Sequence, residues 1–336
     1  MAQPRPEAED NRLKRVAGVL FDPEVSVLHG QGEEYRAGSS DDKRIAVKAF
    51  EAVALTQSNV PGGKEVLRVY YNRFKVGDRK SDDIAAIVAR LLIPFKLAYV
   101  IEVIPTNGIR PLGPPMGTAT RDTNGCLIGT LGIAVTNTAT AKKGFVTCNH
   151  VAAAEGPLLC PNAAKAKEVG LSQYTACDPS VAIGKLTAPP PEIKDPPVYN
   201  NVDAAFVEER GSGVDPTNRC GLCPNGEVME PADAEKNHVE IHGCGAVSGP
   251  MTGNVKLSTA IVRLTYSPCG VTAWFADQIE VDGPFAVLGD SGTVAFDKDG
   301  TAVGLVFAGD GASVTYLNPM TKVRDDLGVV ITKCTK

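Results

Sequence analysis

From about residue 109 onward the chain has no long amphipathic helix and runs as short apolar segments set apart by glycine and proline. Each short strand must find a partner for its backbone groups. Many such runs with regular turn residues between them are therefore buried by closing sheets into barrels or by packing two sheets face to face. Examples are Gly144-Phe145-Val146-Thr147, Ala204-Ala205-Phe206-Val207 and Val303-Gly304-Leu305-Val306-Phe307. With 336 residues, 43% of them hydrophobic and 22% charged, the chain buries a sizeable core and is expected to form more than one domain.

The first hundred residues read differently. Residues 1 to 22 are charged and loosely patterned, which predicts a mobile tail. The cluster Ser39-Ser40-Asp41-Asp42 caps a helix predicted from Lys43 through Thr56, and Pro61-Gly62-Gly63 breaks it. Val66 to Phe74 alternates as a strand, Ser81-Asp82-Asp83 opens a second helix through Leu92, and Leu97 to Ile104 gives another strand before the linker at Pro105 to Gly108. A small α/β domain over 23–108 is the expectation.

Within the β-rich part, Gly289-Asp290-Ser291-Gly292 lies between the apolar runs 284–288 and 293–296. A serine on a tight turn between strands is suited to nucleophilic attack, and the backbone N–H groups of Gly289 and Ser291 would together stabilise an oxyanion. A hydroxyl needs a base, and the chain has four histidines: His29, His150, His238 and His242. His150 ends the strand pattern Gly144 to Val151 before a short helical turn. Asp203, where a polar loop enters the apolar run 204–207, is the carboxylate placed to fix its tautomer. Asp178 and Asp195 lie beside prolines with no following apolar strand.

The order His150, Asp203, Ser291 resembles that of trypsin-like serine peptidases of the chymotrypsin fold. So do Gly129-Thr130-Leu131-Gly132 before the histidine strand, the glycine-studded stretch Gly243 to Gly253, and the runs Val303 to Gly309 and Thr315 to Pro319. The resemblance covers roughly 109–333 and has the look of an intracellular-type member with an N-terminal α/β extension. It implies a mainly β chain with a double six-stranded barrel: the first barrel at about 109–212, an inter-barrel insert at about 211–237, and the second barrel at about 238–333. It implies a serine endopeptidase working through an acyl-enzyme on Ser291, without a cofactor. By position the primary pocket involves Phe285 and Ala286 at its floor, with Phe307, Ala308, Gly309 and Tyr316 as walls. With no acidic residue at the floor, cleavage after a small or medium uncharged residue is expected. A rival reading keeps the fold as an inactive scaffold that binds through residues 23 to 104. Esterase chemistry uses the same groups, but the Gly-x-Ser-x-Gly elbow with its Ser-Asp-His order is absent.

The net charge of −5 gives no drive toward nucleic acid or an anionic membrane surface, so the expected partner is a protein or peptide substrate. The N-terminal domain is expected to supply a regulatory or oligomeric contact. The polar N-terminus has no apolar core of a secretory signal, and the nine cysteines are odd in number. Both favour a cytoplasmic setting in which most thiols are small buried hydrophobes. Cys220, Cys223, His238 and His242 match a zinc spacing. However, Asn237 to Gly243 alternates like a strand and prolines interrupt the intervening segment, so no metal is expected there.

Overall fold

A computed structural model describes residues 7–21, 39–57, 65–92, 99–106, 110–111, 129–152, 184–209, 216, 220–266 and 270–334. The N-terminal elements are α1 (Glu7–Phe21), α2 (Ser40–Ala49), β1 (Phe50–Gln57), β2 (Glu65–Asn72), α3 (Ser81–Leu92), β3 (Val100–Thr106) and β4 (Arg110–Pro111). Then come β5 (Ile133–Asn137), β6 (Lys143–Thr147), α4 (Asn149–Ala152), β7 (Gly184–Lys185), β8 (Tyr199–Asn200) and β9 (Ala205–Glu209). The last part holds α5 (Pro231–Lys236), β10 (Glu240–Gly245), β11 (Gly249–Tyr266), β12 (Val271–Asp282), β13 (Val294–Phe296), β14 (Ala302–Gly309), β15 (Val314–Pro319), α6 (Met320–Leu327) and β16 (Val329–Ile331). The chain is mainly β with a small N-terminal α/β unit, as expected.

Two elements correct the sequence reading of the N-terminal part. Residues 7–21, inside the expected mobile tail, form α1, which buries Leu13, Val16, Ala17, Leu20 and Phe21 at helical spacing. Helix α2 carries a capping box in which the Ser39 side chain accepts from the Asp42 N–H and the Asp42 carboxylate accepts from the Ser39 N–H. It stops at Ala49 instead of running to Thr56. Beyond that point Ala52 and Ala54 face one hydrophobic core while Val53 and Leu55 face another, a period of two that a helix cannot supply. β1 also pairs on both edges, with β2 and with β11, so tertiary pairing overrides local helix preference.

In the C-terminal half, β10, β11, β12, β15, β14 and β13 pair in that order, and the His242–Phe296 pairing returns β13 to β10. This closes a six-stranded barrel. The N-terminal strands β3, β2 and β1 extend the same sheet through Ala52–Val262 and Val53–Ile261. Among the described residues the first barrel is a five-stranded sheet in the order β16, β5, β6, β9, β7, so its outer strand β16 is supplied by the end of the chain.

Two disulfides correct the expectation for the thiols. Cys220 is bonded to Cys244, and Cys223 to Cys334. They pin the insert between the barrels to β10 and to the residues after β16. Cysteines 126, 160, 177 and 269 lie outside the described residues.

Candidate active site

The end of β6 leads into α4 through Cys148, whose carbonyl accepts the N–H groups of Val151 and Ala152. This single helical turn fixes His150 at the strand end, and Asn149 anchors it by donating to the Pro191 carbonyl at 3.1 Å. Asp203 precedes β9 and is held at its backbone by Asn318, whose Oδ1 accepts the Asp203 N–H at 3.0 Å. The structure brings these two predicted residues together. His150 Nδ1 and Asp203 Oδ2 are 2.6 Å apart, and the His150 backbone N–H donates to Asp203 Oδ1 at 3.1 Å. Both side chains are fully buried. With Nδ1 engaged by the carboxylate, Nε2 is the ring nitrogen left without a partner.

Tyr266, at the end of β11, was not singled out from the sequence. Its hydroxyl donates to Asp203 Oδ2 at 2.8 Å, and burial, reinforced by the Asp203 charge, pushes its pKa well up, so it remains a donor. No local pattern marks it, because the contact spans 63 residues and depends on barrel closure.

Ser291 sits on a turn clamped from outside. The Thr130 N–H donates to the Ser291 carbonyl at 2.7 Å, and the Thr130 hydroxyl to the Gly289 carbonyl at 3.1 Å. The Asp290 carbonyl accepts from both the N–H and the hydroxyl of Thr293. Because a trans peptide opposes its carbonyl and N–H, the Ser291 N–H points away from Thr293. Gly289 and Gly292 have φ of 102° and 95°, a region that side chains with a Cβ rarely adopt. A Cβ on Gly292 would also overlap the Thr130 carbonyl and the Thr147 hydroxyl. The Asp290 carboxylate is bonded internally: it accepts the N–H groups of Val247, Ser248 and Val287 and the Ser248 hydroxyl. The serine turn is tied to the histidine strand at Val306, whose carbonyl accepts both the Gly292 N–H and the Cys148 thiol. Ser291 Oγ and His150 Nε2 are both buried, without a hydrogen-bond partner and so not bonded to each other.

Cys148, His150 and Asp203 place potential ligand atoms within 4.8 Å of one another. The His150 ring and the Tyr266 hydroxyl already occupy Asp203, and burial pushes the Cys148 thiol up, away from the thiolate a metal would need. The zinc spacing fares no better, because Cys220 and Cys223 are tied up in disulfides. His242 instead lies 3.3 Å from the Thr252 hydroxyl.

The six expected pocket residues do not form one group. Phe285 and Ala286 pack inside the second barrel with Met251, Val255 and Val281, where the Phe285 ring fills the space left by Gly243 and Gly253. Phe307, Ala308 and Tyr316 belong to the larger core, with the Phe307 ring 5.2 Å from that of Phe275. Gly309 lies at the end of β14, paired with Thr315. A buried acid that the sequence reading passed over, Glu280, stands opposite Tyr316. Burial pushes its pKa up, and its Oε1 is taken by Lys256 Nζ at 2.9 Å and by the Tyr70 hydroxyl.

No protein-family model matches the chain, and no curated protein sequence does. Among solved structures the chain is similar to the Nocardiopsis protease NAPase, at 17% identity and a TM-score of 0.41, over 61% of this chain and 93% of that one. It is also similar to Thermobifida fusca protease A, at 14% identity and a TM-score of 0.40, over 60% and 90% of the two chains. The likeness to Cellulomonas bogoriensis chymotrypsin is 14% identity and a TM-score of 0.39, over 65% and 98%.

Proposed function

We propose that the chain is a serine endopeptidase in which Ser291 is the nucleophile, His150 the general base and then acid, and Asp203 the orienting carboxylate. The observation that carries this reading is the buried His150–Asp203 pair, held at 2.6 Å and braced by Tyr266, with the histidine strand joined through the Val306 carbonyl to a serine turn with tied-back carbonyls. His150 Nε2 takes the Ser291 proton as Oγ attacks the scissile carbonyl. The N–H groups of Gly289 and Ser291 receive the oxyanion, and His150 returns the proton to the leaving amine. Water then repeats the sequence on the acyl-enzyme. Residues 109–333 supply this machinery, and the N-terminal unit acts as its brace and contact surface.

For the residue before the scissile bond we infer an uncharged, small or medium side chain. Glu280, the buried acid opposite the expected wall residue Tyr316, has its Oε1 paired with Lys256, and Asp310, next to Gly309, is bonded to the backbone and hydroxyl of its own turn. The two disulfides favour an oxidising compartment over the cytoplasmic one expected from the sequence. No helix among the described residues is long and apolar enough to cross a membrane. A peptide-library assay with Asp203→Asn tests the reading: kcat falls by about 10⁴ with little change in KM. Undiminished turnover in that variant contradicts it.

A further inference from the structure

β14 runs past the serine turn with one edge paired to β15 from Gly304 to Gly309, across an irregularity at Phe307. Its other edge pairs with β13 only as far as Leu305 and then with the turn itself, where the Gly292 N–H donates to the Val306 carbonyl and the Val306 N–H to the Thr293 carbonyl. Past Val306 this edge is open to another strand, and the chain's own β4 has taken it, antiparallel, with Gly309 opposite Arg110 and Ala308 opposite Pro111. Pro111 has no N–H, so the residue pair that exchanges backbone hydrogen bonds in this ladder is Arg110 with Gly309. The antiparallel sense means that β4 leads from Gly309 toward Val306 and the Ser291 turn. At about 3.3 Å per residue it ends roughly 7 Å along the strand from Val306.

A second observation points the same way. Ser291 Oγ and His150 Nε2, the two atoms that must meet a substrate, are sealed from solvent although neither has a partner. An extended peptide reaching Ser291 needs an unpaired strand edge on which to lay its backbone, and the edge beside the serine is β14 beyond Val306.

We propose that Arg110–Pro111 occupies, in cis, the edge of β14 on which an extended peptide substrate must lie. The chain is thereby self-occluded until a substrate strand displaces β4. This rests on the peptidase reading above. A ladder with one hydrogen-bonded pair is short, so the occlusion slows access without abolishing it.

The test compares labelling rates with a fluorophosphonate probe in full-length wild type, Arg110→Pro, Arg110→Ala and Pro111→Gly, with amide hydrogen exchange at Gly309 read on the same samples. Arg110→Pro removes the N–H donated to Gly309, so it should deprotect Gly309 and label at least about tenfold faster. Arg110→Ala keeps the backbone and should match wild type in both readouts. Pro111→Gly loosens the strand while touching no bond, and should give a smaller increase in the same direction even if Arg110→Pro fails to fold. Labelling rates equal to wild type in variants with a deprotected Gly309, or a Gly309 already unprotected in wild type, overturn the occlusion and leave the peptidase reading standing. No labelling in any form overturns the peptidase reading and this inference with it.

Discussion

One hydroxyl sets how firmly the Asp203 carboxylate is held. Oδ1 is fixed by the His150 N–H, whereas Oδ2 is shared between the imidazole and the Tyr266 hydroxyl, and all three side chains are buried. A buried carboxylate that loses a donor is held less firmly and can rotate away from the imidazole. Tyr266→Phe removes the donor at nearly constant volume. We expect kcat to fall by about tenfold, with KM and the melting temperature little changed. An unaltered kcat would show that the hydroxyl takes no part in positioning Asp203. Neither this contact nor the clamp of Thr130 on the serine turn was legible from sequence. His150, Asp203 and Ser291 each sit at the end of an apolar run that a local pattern reveals, but Tyr266 and Thr130 reach the site across 63 and 159 residues.

At the scale of elements, the N-terminal unit hangs on a few designed joints. α2 and α3 are tied by Asp42 and Arg90, 2.7 Å apart, and the hydrogen bond from Arg90 holds the Asp42 carboxyl down at about 2, against a usual value of 3.8. Because the folded value is the lower one, the stabilisation is fully present above about pH 4 and is lost as pH falls through about 2. The fall in melting temperature from pH 4 to pH 2 should therefore be smaller in Asp42→Asn than in wild type, and equal falls would remove the pair from the account. The cap and α3 were legible because Ser39 to Asp42 and Ser81 to Asp83 are local features. The end of α2 was not, because β1 is a strand through its pairing with β2 on one edge and with β11, more than two hundred residues later, on the other. Likewise Asn318, just before the last helix, has its side chain on Asp203, and Pro319 takes the cap position.

Over the whole molecule, long-range connections join segments far apart in the chain. β1 joins the N-terminal sheet to the second barrel, Tyr70 of β2 reaches Glu280 of β12, β16 completes the first sheet, and Cys223–Cys334 closes a span of 111 residues. Closing a loop of that length restricts the unfolded chain by about 4–5 kcal/mol. Reduction should therefore lower the melting temperature by about 5–15 °C. An unchanged value, with Cys223 and Cys334 alkylated without reductant, would argue against the bond. The barrel class was readable from the run of short apolar strands. Its sharing of a sheet with the N-terminal unit was not, since strand pairing between distant segments leaves no local trace. The proposal stands or falls with Ser291 as a nucleophile activated by His150. Its most direct test is exhaustive fluorophosphonate labelling followed by mass-spectrometric mapping of wild type, Ser291→Ala and His150→Ala. One adduct is expected, on Ser291, absent from both variants. An adduct on another residue, or labelling that persists in Ser291→Ala, would contradict it.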